Sequence, residues 1–306
     1  MTTSVPASER TSASSRQMIR RIAVGIDGFP EGRDAAALGQ LLAEASGAEL
    51  MLVAVHSPAL LPFPPELGYK SQLKQSQLVL REVRDSLAPG ARTLTATDHS
   101  VPRGLHRVVH RHHRDLLIVG ASRHAPEGHV RIGKRTRQLL CQFECALAVA
   151  PRGMHADPGR ALRRIAVGYD GSPESESALA FAGSIAGAAG AALHVQTVVD
   201  DRVPVFARSA LGGAIQLEWN EVIKAEMEEL RQTAAVAGEK MGVPLDIGVT
   251  CGRPAYVLLE LSETVDLLVI GSRRWGASAR LLLGSTGEAL MHDAACAVLA
   301  VPRPSS

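Results

Sequence analysis

The stretch richest in groups for binding chemistry reads Gly271-Ser272-Arg273-Arg274-Trp275-Gly276 and runs on to Gly284-Ser285-Thr286-Gly287, where a helix is predicted to begin. Small residues let a backbone come close to a bound group, and the unpaired N–H groups of a helix start attract anions. Ser285 and Thr286 add hydroxyl donors, and Arg273, Arg274 and Arg280 add positive charge. A chain of phosphates needs this combination. A second stretch, Asp170-Gly171-Ser172-Pro173, follows an apolar run. Ser172 suits a helix N-cap and Pro173 the first helical position. Asp170 precedes the cap, and its carboxylate can accept from a ribose hydroxyl or a base amine. Each stretch also has a plainer reading: a helix start in one, and a surface loop seated by Leu281 to Leu283 in the other. The plain and functional readings are compatible.

The elements that must position these groups occur twice. Arg21-Ile22-Ala23-Val24-Gly25-Ile26-Asp27-Gly28 returns as Arg164-Ile165-Ala166-Val167-Gly168-Tyr169-Asp170-Gly171. Asp115-Leu116-Leu117-Ile118-Val119-Gly120 returns as Asp266-Leu267-Leu268-Val269-Ile270-Gly271, and the run from Cys145 to Arg152 returns from Cys296 to Arg303. Three markers in one order, at a period far longer than a solenoid repeat, indicate a duplicated domain. The expected organisation is a disordered lead at 1–18, a first domain at 19–152, a linker at 153–163 marked by Pro158 and Gly159, and a second domain at 164–303.

Within the first copy, apolar runs near 21–26, 50–56, 92–97, 115–120 and 146–150 alternate with helically spaced segments near 31–46, 70–87, 103–113 and 133–143. In the second copy the longest such segment, 216–241, sets Leu217, Ile223, Met227 and Leu230 near one face. Fully apolar runs such as Leu116 to Val119 suit a sheet buried on both sides, and strand–helix alternation implies parallel strands with right-handed crossovers. The fold class is therefore α/β: two tandem doubly wound domains, each a five-stranded parallel sheet flanked by about four helices. Ligands of such folds sit beyond the carboxyl ends of the strands, at the switch in strand order. The loops described above fall there.

Composition narrows the function. The 306 residues are 46% hydrophobic and 21% charged, with a net charge of +2, so whole-molecule charge selects no partner. Aromatics at 3% argue against a nucleic-acid binder that works by stacking. No apolar run is long enough for a membrane span, and the N-terminus lacks the apolar stretch of a secretory signal, so a cytoplasmic protein is expected. The four cysteines, Cys141, Cys145, Cys251 and Cys296, form no CxxC pair and read as small buried hydrophobes in a reducing compartment. Gly128 to Arg135 departs from a phosphate-binding P-loop, having Arg135 where a magnesium-holding Ser or Thr belongs and starting several residues after its strand. His106, His110 and His113 share helical spacing, but no cysteine or carboxylate is placed to complete a metal site, so a basic solvated face is expected. From Arg103 to Arg137, nine Lys or Arg residues face Asp115 and Glu127 alone, a patch able to attract nucleic acid or an acidic partner, with sequence-specific RNA reading disfavoured by the low aromatic count. No nucleophile–base arrangement or paired carboxylate is in place, so no enzyme is expected.

At these loops the sequence resembles the universal stress protein family, over both copies and nearly the whole chain beyond the first 18 residues. The family's strand running into Val-Asp-Gly-Ser-Pro is similar to Val167 to Pro173. Its phosphate pattern Gly-x2-Gly-x9-Gly-Ser/Thr is met at Gly271, Gly284 and Ser285, with Arg274 at the second glycine. In the first copy Gly120 and Gly133 keep the spacing, with Arg123 at the second glycine and Lys134 at the Ser/Thr. The resemblance implies an adenine nucleotide alpha hydrolase-like fold and binding of ATP, at least in the second copy, with or without Mg2+. Adenine would lie near Asp170 and Val198, and ribose and phosphates near Gly271, Arg274, Gly284, Ser285 and Thr286. The matching set in the first copy is Asp27, Val55, Gly120, Gly133 and Lys134. It further implies a regulator of stress response, the two copies packed as a pseudo-dimer about their last strands, and a further homodimer. A nucleotide-free interaction scaffold is the alternative, resting on Arg123, Lys134 and Arg274.

Overall fold

Every apolar run becomes a strand. The computed structural model describes residues 19–56, 65–133, 137, 145–157, 159–200, 212–241, 244–272 and 283–302. The first half runs β1 (Arg21–Ile26), α1 (Pro30–Ser46), β2 (Glu49–His56), α2 (Pro65–Leu87), β3 (Arg92–Thr97), α3 (Val101–Arg111), β4 (Leu116–Gly120) and β5 (Ala146–Ala150). The second runs β6 (Arg164–Tyr169), α4 (Pro173–Ala189), β7 (Ala192–Val199), α5 (Gly212–Met241), β8 (Leu245–Cys251), α6 (Pro254–Ser262), β9 (Leu267–Gly271), α7 (Ser285–Asp293) and β10 (Ala297–Val301). The N-terminal lead and most of the helix predicted near 133–143 lie outside the described residues.

The strands form a single ten-stranded sheet in the order β3-β2-β1-β4-β5-β10-β9-β6-β7-β8. Each half is parallel throughout, as expected, with β1 flanked by β2 and β4 and its counterpart β6 by β7 and β9. The halves meet where β5 and β10 pair antiparallel, Ala148 opposite Leu299, so the last strands carry the internal two-fold. Side chains alternate across this sheet. Leu116 and Ile118 enter one apolar layer and Leu117 and Val119 the other, and all four are buried. That is why these strands read as unbroken apolar runs.

The repeated aspartates start the central strands. The Asp115 carboxylate accepts from the backbone N–H groups of Arg20 and Arg21, both at 2.9 Å. Asp266 does the same for Arg163 and Arg164 at 2.8 and 2.9 Å. On the long helix α5, Ile223 is buried and Met227 and Leu230 are half-buried, while Leu217's side chain lies outside the described residues. The connection between the halves is fastened to α1. Buried Asp34 accepts from the N–H groups of Gly153 and His155 at 2.9 Å each, and its Oδ1 lies 2.6 Å from His155 Nδ1.

Candidate functional site

From β1 the chain crosses to β2 on one side, and from β3 it returns to β4 on the other, so a crevice opens between the C-terminal ends of β1 and β4. In the first half it is a cleft of about 590 Å³. Asp27, Val55, Gly120 and Gly133 all line it, and Arg123 and His124 bring nitrogen groups to its rim. The apolar wall is Val53, Val55, Val101, Leu105 and Val119. Lys134 lies outside the described residues.

Local sequence builds each wall. Gly28 turns the chain at φ +84, a conformation that costs a glycine little, and its counterpart Gly171 does so at +73. Phe29 then stands at the N-cap of α1 without a side-chain cap bond and is 61% exposed at the cleft. Gly120 is small for a reason other than a ligand. A Cβ there would lie 2.0 Å from the Glu31 carbonyl oxygen in the first turn of α1. At Gly271 it would lie 2.6 Å from the Glu174 carbonyl. The first glycine of the phosphate pattern thus seats a helix on the strand exit. Gly133 differs, because a Cβ there would approach only Ser122, at 3.9 Å. It is held beside the β4 exit by the Ser122 N–H, which donates to the Arg131 carbonyl at 2.7 Å.

The segment that mimics a P-loop in sequence is used for packing between the halves. The Val130 N–H donates to the Ala294 carbonyl at 2.9 Å and the Ile132 N–H to that of Met291 at 3.0 Å. The loop carrying Gly133 therefore rests on the C-terminal end of α7, a helix of the other half.

In the second half Asp170 and Val198 lie at the ends of β6 and β7, and Gly271 at the end of β9, on the corresponding rim. Asp170 is tied into the helix start: its Oδ1 accepts from the Ser172 N–H at 3.1 Å and from the Ser172 hydroxyl. Ser172 Oγ in turn accepts from the Ser175 N–H at 3.2 Å, the N-cap bond expected of it. Just before this loop the Tyr169 hydroxyl is pushed above its ordinary pKa by burial, and the charges of Glu176 and Asp170 push the same way. Gly284 is the N-cap of α7, at φ −75, with Ser285 and Thr286 in the first turn. That turn abuts the strand end, since a Cβ on Gly287 would lie 3.3 Å from Ile270 Cδ1. Arg273, Arg274 and Arg280 lie outside the described residues.

Sequence reasoning missed the wall formed by α3. Its signal was present: Pro102 starts a helix directly after β3, and the first turn of a helix that follows a parallel strand lies on the strand's C-terminal rim, beside the other strand ends. Among the described residues no group of three His, Cys, Asp or Glu side chains is disposed to hold a metal, and the His106 and His110 rings stack at 6.4 Å. Cys296 is buried as expected, its thiol pushed up to about 12 by burial. Cys145 is half-buried, Cys251 is exposed, and Cys141 lies outside the described residues.

A doubly wound parallel arrangement repeated in both halves, with a crevice at the first switch point, defines a duplicated α/β protein. The sequence profile of the universal stress protein family matches residues 18–151 and again 161–302, and the chain belongs to that family as a tandem two-domain member. It is 28% identical over 185 residues to a universal stress protein of Mycobacterium tuberculosis, a match covering 60% of this chain and 61% of that one. The chain thus spans about six-tenths of the length of such curated relatives. A single-domain universal stress protein of Thermus aquaticus is 34% identical over 142 residues, 45% of this chain and 98% of the relative. Among solved structures, a universal stress protein from Archaeoglobus fulgidus superposes with a TM-score of 0.63 at 17% identity, covering 94% of this chain and 98% of that one. No helix among the described residues is long and apolar enough to cross a membrane.

Proposed function

We propose that this chain binds an adenine nucleotide, ATP with or without Mg2+, and acts in the cytoplasm as a stress-response regulator rather than a metabolic enzyme. The supporting observation is the cleft of about 590 Å³ at the β1–β4 switch, lined by Asp27, Val55, Gly120 and Gly133. Its size suits a small ligand, and its apolar wall beneath a polar rim suits a base next to phosphates. Adenine would rest against Val55 with the ribose towards Asp27, and the phosphates would pass Gly120 and Gly133 towards Arg123 and Lys134. In the second half Asp170, Val198, Gly271, Arg274, Gly284, Ser285 and Thr286 would serve likewise, the phosphates meeting the N-terminus of α7. The domain limits of 19–152 and 164–303 belong to the same proposal.

The test is to purify the chain without added nucleotide, denature it and chromatograph what it releases, then titrate ATP into the emptied protein. Two equivalents, one lost in Asp27→Ala and the other in Ser285→Ala, are expected. No release and no saturable binding at millimolar ATP overturns the reading and leaves the nucleotide-free interaction scaffold.

A further inference from the structure

At one end of the sheet, β3 has no strand beyond it among the described residues, and α3 runs alongside. Between them lies a second cavity of about 320 Å³, lined by β3 from Leu94 to Thr97, by Arg107, Val108 and Arg111 of α3, and by its C-cap His112. It shares α3 with the nucleotide cleft but none of its lining residues. We propose that this groove docks an extended acidic segment of a partner protein, added as a further strand beside β3 with alternate carboxylates against Arg107 and Arg111.

Three observations carry this. First, the edge is open to strand addition. The Asp98 N–H donates inward to the His56 carbonyl. Alternation along a strand then turns the backbone groups of Thr93, Thr95 and Thr97 outward, and the Thr97 carbonyl takes the Arg107 guanidinium at 2.6 Å. Exposed edges are usually blunted by charge, proline or bulges, but β3 reads Arg-Thr-Leu-Thr-Ala-Thr, with Arg92 at its start as the lone charge. Second, the spacing matches. Arg103, Arg107 and Arg111 recur every fourth residue, about 6 Å along the helix, close to the roughly 6.7 Å between alternate residues of a strand. Third, the stripe already holds a carboxylate. Asp98 meets Arg103 at 3.1 Å and Arg107 at 2.8 Å. The side chains of Arg111 and His112 make no hydrogen bond or ion pair with any described residue. The opposite edge, β8, differs: it carries Asp246, and Gly248 interrupts it. A net charge of only +2 and the scarcity of aromatics favour a short acidic segment over a nucleic acid.

The test is fluorescence anisotropy of the full chain with a labelled peptide of alternating glutamate and threonine at low salt. Saturable binding is expected, at least about tenfold weaker in Arg111→Glu and in the Arg107→Glu/Arg111→Glu pair. It should be lost in Thr95→Pro, which removes an outward N–H while leaving the bonds to β2, with the thermal unfolding midpoint as a check on folding. A lysine–threonine peptide should not bind. The proposal is overturned if the wild type does not bind the acidic peptide, if Thr95→Pro binds as well as wild type, or if labelled duplex DNA binds more tightly and responds to the same arginine changes.

Discussion

The two halves follow one chain path and finish their first loop differently. In the second half Asp170, Ser172 and Ser175 form a bonded helix start. In the first, Phe29 and Gly32 replace the two serines, no cap bond forms at Phe29, and Asp27 and Phe29 line an open cleft. Both aspartates serve their own loops, Asp27 Oδ1 accepting from the Phe29 N–H at 3.2 Å and Asp170 Oδ1 from the Ser172 N–H at 3.1 Å, and Asp170 also takes the Ser172 hydroxyl. The difference lies in the residue after the turn, a serine that caps the helix in one half and a phenylalanine that stands at the cleft in the other.

The sharpest test of this shared path is the glycine at each strand exit. Gly120→Ala should destabilise the chain by about 3 kcal/mol and Gly271→Ala by somewhat less, in line with approaches of 2.0 and 2.6 Å, measured by urea unfolding. Equal and negligible costs would mean that α1 and α4 are not seated on the strand exits. Next in size is the fastening of α1 to the connection between the halves. Asp34→Ala leaves two backbone donors without their acceptor and should cost about 2 kcal/mol, whereas Ser177→Ala at the matching position, where the hydroxyl bonds only Pro173 within α4, should cost under about 0.5 kcal/mol.

The caps should respond in opposite directions. Ser172→Ala is expected to lose about 1 kcal/mol, and Phe29→Ser to gain up to about 1 kcal/mol by importing the missing cap. A loss in both would show that Phe29 packs in a way its exposure conceals.

The smallest contrast is in pH. Burial holds His56 below the ordinary histidine range, and Val199 at the matching position has no proton to gain. A lowered folded pKa means that the unfolded chain binds the proton first. This contribution is complete above about pH 6.5 and declines as the pH falls through the lower folded value. Urea midpoints should drop on mild acidification, and His56→Val should flatten that drop.

Much of this was legible in sequence. The duplicated Ile-Ala-Val-Gly runs set the strands, Ser172 and Pro173 mark a helix start, and likeness to the family pattern points to Asp27, Val55, Gly120 and Gly133, which line the cleft. The reason for Gly120 was not legible. A small residue at a strand exit reads equally as ligand access or helix seating, and only the position of Glu31 distinguishes them. The Val101–Leu105 wall was missed because periodicity reports which face of a helix is apolar, not where its first turn lands.

By itself the sequence determined the duplication, the strand–helix alternation, the turn glycines and the family, since each rests on local pattern or on likeness between two stretches of one chain. The family resemblance already implies that the last strands lie at the internal two-fold, but tertiary structure alone decided that β5 and β10 pair antiparallel in one sheet, that Asp34 grips the linker, and that Val130 and Ile132 rest on α7. These contacts span more than a hundred residues. They depend on the order in which strands assemble, which composition and periodicity do not encode.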